Sequence, residues 1–74
     1  MESKATQIRS AVTGVVAKIR GIQPKQVTDD MTIVRVDEFC DEMGPVCFDL
    51  NLPLLITGKD MKVREVIDQM TSRI

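Results

Sequence analysis

Apolar side chains at Ile8, Val12, Val15, Val16 and Ile19 recur at i, i+4, i+7, i+8 and i+11, which lays one stripe along an α-helix. The spacing predicts a helix from about Lys4 to Arg20. Lys18 and Arg20 fall in its last turn, where cations complement the helix dipole. Gly21 follows where a left-handed residue closes a helix without a Cβ penalty. A second stripe lies near the other end of the chain. Met61, Val63, Val66, Ile67 and Met70 make an apolar face, with Lys62, Arg64, Glu65 and Asp68 outside it. Thr57-Gly58-Lys59-Asp60 is a polar lead-in to that helix, with Asp60 as its expected N-cap. Between the stripes, Ile22 to Ile33 reads as a loop. Pro24 interrupts any helix, Thr28-Asp29-Asp30 favours turns, and Ile22, Val27, Met31 and Ile33 are spaced as anchors onto a core.

The middle of the chain supports two patterns. Phe39 and Met43 stand at i and i+4 within a short acidic helix from Asp37 to Met43, which Gly44-Pro45 is expected to stop or bend. Against that, Thr32 to Val36 is rich in β-branched residues, and Val46, Phe48, Leu50 and Leu52 alternate with period two. Periodicity therefore leaves an α-β-β-α arrangement open beside an all-α one.

Composition narrows the function classes. A chain of 74 residues holds one domain, read as residues 1–74, with a small core and a net stability of only a few kcal/mol. Its net charge of −1 supplies no bulk attraction to nucleic acid, and Lys18, Arg20 and Lys25 are too few to make a basic stripe. The absence of Trp, Tyr and His removes the usual stacking platforms, the commonest general base and the commonest metal ligand. No catalytic residue and no metal ligand is assigned. Cys40 and Cys47 fit no zinc spacing and no disulfide framework, and are read as buried free thiols. Met31, Met43, Met61 and Met70 mostly fall on apolar faces, which favours core filling over a plastic binding groove. Met1-Glu2-Ser3-Lys4 opens no signal-like apolar stretch and no segment approaches a membrane span, so a cytoplasmic location is expected.

Three blocks carry a resemblance. The first helix running into GIQPKQVTDDMTI, the segment FDLNLP, and TGKDMKVREVIDQM resemble, in order, the opening, the stretch after the second helix and the final stretch of acyl carrier proteins. Together they cover roughly two-thirds of the chain. The resemblance implies a small antiparallel three- or four-helix bundle with a shortened second helix. It also implies protein partners that recognise carrier domains in a fatty-acid or polyketide type of pathway, with the chain a monomer or weak dimer. Carrier proteins start the second helix with Asp-Ser-Leu, whose serine takes phosphopantetheine. This chain has Asp37-Glu38-Phe39 there, so Glu38 stands in the serine position, and its only serines are Ser3, Ser10 and Ser72. The stretch between Val27 and Leu52 is shorter than the family's by about seven residues, on the order of two helical turns.

A carboxylate cannot accept phosphopantetheine as an alcohol does, so no cofactor is expected. Thr32, the nearest hydroxyl, is read as a loop or capping residue. The expected role is a non-catalytic, carrier-like interaction module. Asp37, Glu38, Asp41 and Glu42 form its candidate partner-binding face, against the plainer reading of a solvated acidic helix face. Glu38 as a mimic of a modified serine is a loose one, since a carboxylate has less charge and fewer acceptors than a phosphate. The alternatives are a true carrier modified at an atypical residue and an α-β-β-α dimer pairing through a strand edge.

Overall fold

A computed structural model describes residues 3–52 and 61–73, and its described residues form three α-helices: α1 (Lys4–Arg20), α2 (Val36–Leu50) and α3 (Val63–Thr71). The all-α reading holds. Residues 46 to 50, offered above as part of a hairpin, lie inside α2, and among the described residues the β contribution is one isolated bridge between Thr32 and Lys62. The α-β-β-α alternative is therefore rejected. The period-two alternation marks no face of α2, since Val46 is partly buried while Phe48 and Leu50 are exposed.

The first helix has the bounds its stripe predicts. The Ser3 hydroxyl accepts the Thr6 N–H at 3.2 Å, supplying an N-cap. At the other end Gly21 adopts φ 70°, its N–H reaches the Lys18 carbonyl, and the Ile22 N–H reaches the Ala17 carbonyl. Those two bonds are the paired closure that a left-handed glycine permits. Ile8, Val12, Val15 and Val16 are buried, while Ile19 packs at the edge of the core.

The loop from Gly21 to Arg35 contains a short 3-10 turn at Pro24–Gln26, and the Gln26 side chain accepts the Gln23 N–H. Beyond it the loop is tied to the approach to α3. The Ile33 N–H donates to the Met61 carbonyl at 2.7 Å, and the Val63 N–H donates to the Met31 carbonyl at 2.8 Å. Ion pairs of Arg9 with Asp29 (2.9 Å) and Arg64 with Asp30 (3.0 Å) hold the acidic turn between α1 and α3. Hydrogen bonding from Arg9 holds the Asp29 carboxyl below the usual aspartate range. Of the expected anchors, Ile33 is fully in the core, Val27 and Met31 pack against it, and Ile22 is half-buried.

Two expectations about helix ends are corrected. Asp60 lies outside the described residues. The cap position of α3 belongs to Lys62, whose N–H donates to the Glu65 carboxylate at 3.2 Å. The second helix does not stop at Met43. It runs 15 residues through Gly44-Pro45, with proline inside. Proline cannot donate to the Asp41 carbonyl, but both residues are on the exposed side, where water reaches that oxygen. Gly44 removes the Cβ that would otherwise collide with the proline ring, which is why the pair is tolerated in helical geometry. Asn51 then closes α2 at φ 54°, with the Leu52 N–H on the Cys47 carbonyl at 2.8 Å. The Lys4 ammonium donates to the carbonyls of Leu50 and Asn51 at 3.1 and 3.2 Å, placing a cation at the negative end of α2. Since the start of α1 meets the end of α2, and Lys18 near its end pairs with Glu42, these two helices run antiparallel.

One core joins the elements. Ile8, Val12, Val15 and Val16 from α1 meet Phe39, Met43 and Cys47 from α2, and Val63, Val66, Ile67 and Met70 from α3. Ile33, Leu52 and Met61 complete it. The methionine reading holds for Met43, Met61 and Met70, which are buried, and Met31 packs against them.

Arg35 precedes α2 at φ 51°, a left-handed conformation that costs a branched or long side chain about 1 kcal/mol or more. Its side chain is 65 % exposed and reaches Glu38 only at 3.9 Å, so little is lost with it. Arg35→Gly is expected to raise stability by about 1 kcal/mol. A urea midpoint that falls on this substitution would contradict the strain.

Candidate docking face

The buried stripe Phe39, Met43 and Cys47 fixes how α2 is rotated about its axis. Everything on the opposite side follows from that. Asp37, Glu38, Asp41, Pro45, Phe48 and Asp49 are all exposed. The helix carries five of the chain's eleven acidic residues and none of its ten basic ones, which leaves the rest of the chain with more basic than acidic groups. Asp37 and Glu38 sit in the first turn, where carboxylates are favoured by the dipole.

The predicted cluster is thus split. Asp37, Glu38 and Asp41 share the outer face, while Glu42 turns toward α1 and pairs with Lys18 at 2.9 Å. Glu42 therefore bridges α1 and α2 at a half-exposed position and does not belong to the outer acidic face. Glu38, in the expected serine position, stands exposed in the first turn of α2, near Arg35. Thr32 is half-buried, and its carbonyl receives the Arg20 guanidinium at 2.8 Å, in keeping with a loop role.

Among the described residues the most exposed large apolar side chain is Phe48, which the resemblance put after the second helix and the rival pattern in a hairpin, and which lies inside α2. Phe48 is 87 % exposed and borders an open groove of ≈ 570 Å³, lined among the described residues by Gly44, Cys47, Phe48, Asn51 and Leu52. A signal for it was present in the sequence. Phe48 lies nine positions after Phe39, and at roughly 100° per residue the two rings must point to opposite sides of one helix. Only the assumption of a break at Gly44-Pro45 hid it.

Neither cysteine is in a disulfide. Cys47 is buried as expected, and burial pushes its thiol pKa up, so it lines the groove as a protonated, apolar group. Cys40 is only half-buried, which corrects the expectation for that residue. Seven positions apart on α2, the two are separated by about 10 Å of helical rise and cannot bond to one another.

Among the described residues no group of three His, Cys, Asp or Glu side chains converges on a point, and no buried side-chain polar atom lacks a partner. No described helix is long and apolar enough to cross a membrane. What the face offers is charge and an apolar anchor, the elements of association with a complementary surface. No family model, no curated protein and no solved structure matches the chain.

Proposed function

We propose that this chain is a non-catalytic, acyl-carrier-like interaction module. It docks through the exposed side of α2 onto enzymes or assembly factors that recognise carrier domains, and carries no phosphopantetheine of its own. One observation carries the reading. The second helix presents Asp37, Glu38 and Asp41 together on its outer side, and the residue at the expected attachment point is an exposed carboxylate. A carboxylate there cannot form the phosphodiester that tethers an acyl arm, yet it keeps the negative face that a basic partner would meet. Charge of this kind raises association rates and selects partners more than it adds affinity. The pathway proposed is of fatty-acid or polyketide type, in the cytoplasm, with the chain acting as a monomer or weak dimer.

Charge reversal tests the reading. Titrating the labelled chain with a broad-specificity phosphopantetheinyl transferase is expected to give saturable binding that weakens as salt rises. Asp37→Lys with Asp41→Lys is expected to lower that affinity at least tenfold, with the far-UV circular dichroism unchanged. Equal binding by the reversed variant would remove α2 as the docking helix. Failure of the native chain to bind any carrier-recognising enzyme would remove the carrier reading itself.

A further inference from the structure

We infer that the groove beside Phe48 seats an apolar side chain from a basic, amphipathic helical segment of a partner protein. The inference rests on the reading of α2 as a docking helix, and it adds an anchor and a partner chemistry to it.

Single exposed apolar side chains are ordinary on protein surfaces, so exposure alone proves little. The surroundings of Phe48 set it apart. Its ring is 87 % exposed, against 40 % for Val34 and 39 % for Leu50. It stands beside an open groove whose inner wall is formed by Cys47 and Leu52, both buried members of the core. At Gly44, on the same groove, nothing beyond its chain neighbours and the adjoining backbone of α2 lies within 4 Å of where a Cβ would stand, so that wall is open to an incoming group. The raised thiol pKa of Cys47 keeps the inner wall uncharged. Binding energy at interfaces concentrates in a few anchors seated in pockets, and a ring beside an apolar depression supplies one wall of such a pocket.

Charge decides the occupant. Asp41 lies one turn before the groove on the exposed side, Asp49 follows Phe48, and α2 holds no cation. A second copy meeting this face through a two-fold axis would bring Asp37, Glu38, Asp41 and Asp49 of one copy against the same four carboxylates of the other, which is electrostatically opposed. An acidic segment is opposed in the same way. A neutral acyl chain would use the inner wall but leave the carboxylate rim without a role. A helix that sets one apolar side chain between lysines or arginines a turn away uses both parts, the apolar group on Phe48 and the cations on Asp41 and Asp49.

The test uses the full chain, isotope-labelled and followed by amide NMR, with a synthetic peptide of leucine and lysine at amphipathic helical spacing. Two controls replace its lysines by glutamate or its leucines by glutamine. Saturable shifts centred on residues 44–52 with the leucine-lysine peptide are expected, with at least tenfold weaker binding by either control. Phe48→Ala is expected to weaken binding at least tenfold, with the core resonances unmoved. Equal binding by Phe48→Ala, shifts centred elsewhere, or an equal response to a neutral decanoyl ester would overturn the inference. Concentration-dependent shifts at Phe48 without any peptide would overturn it in favour of a second copy. Peptide binding alongside failure of every carrier-recognising enzyme would leave the groove standing and remove only the carrier reading.

Discussion

Phe39→Ala is expected to unfold the chain. Phe39 is 2 % exposed and is among the largest fully buried side chains, contributed by α2 to a core that α1 and α3 share. Truncating a buried phenylalanine costs about 3–5 kcal/mol, from lost transfer energy and the cavity left behind. A domain of 74 residues without a disulfide holds only about 3–5 kcal/mol in total. The two figures are equal in size, so the variant should show no cooperative thermal transition by circular dichroism. Phe48→Ala supplies the control. With its ring 87 % exposed, that change should move stability by no more than about 0.5 kcal/mol. Similar losses at both positions would mean that α2 is rotated differently about its axis, and the docking face would move with it.

Pro45→Ala is expected to stabilise the protein. Proline in a helix interior costs about 3 kcal/mol, from the missing N–H and the ring against the preceding turn. Part of that cost is already relieved by Gly44 and by solvent access at Asp41. Alanine would restore the bond to the Asp41 carbonyl, while giving back about 0.4–1 kcal/mol of freedom to the unfolded chain. The net gain should be about 1–2 kcal/mol, and each kcal/mol should raise Tm by about 4–8 °C in a domain of this size. A lower Tm would show that proline at this position contributes to packing α2 on α1.

Most of the fold was legible in the pattern of residues. The i, i+4, i+7 stripe from Ile8 to Ile19 and the Gly21 stop locate α1 to the residue, because spacing and cap agree. The apolar face from Val63 to Met70 locates the body of α3, but its start falls at Val63 with Lys62 at the cap and not at Asp60, so that boundary was misjudged. The middle failed for a local reason. Gly44-Pro45 is a strong break signal, and reading it as one cut off Cys47, the third member of the stripe that starts with Phe39 and Met43. Tertiary packing overrides the break, since continuing the helix buries Cys47 and carries the chain to Asn51 and the Lys4 ammonium. The outer face of α2 was legible in part. Asp37, Glu38 and Asp41 fall outside as their spacing requires. Glu42 does not, because its neighbour Lys18 belongs to another helix, and only the packing of α1 on α2 brings them together.

The central claim is a carrier-type surface without carrier chemistry. Intact mass tests it most directly, on the native chain and on a Glu38→Ser, Phe39→Leu variant that restores Asp-Ser-Leu, each incubated with coenzyme A and a broad-specificity phosphopantetheinyl transferase. The variant also trims a core ring, so its helicity is checked first by circular dichroism. The native chain is expected to keep its mass beside a true carrier modified in the same reaction, and the folded variant to gain one phosphopantetheine arm. A gain by the native chain would make it a working carrier with an atypical attachment site and contradict the claim. A folded variant that stays unmodified would contradict it from the other side, by removing the carrier-type surface.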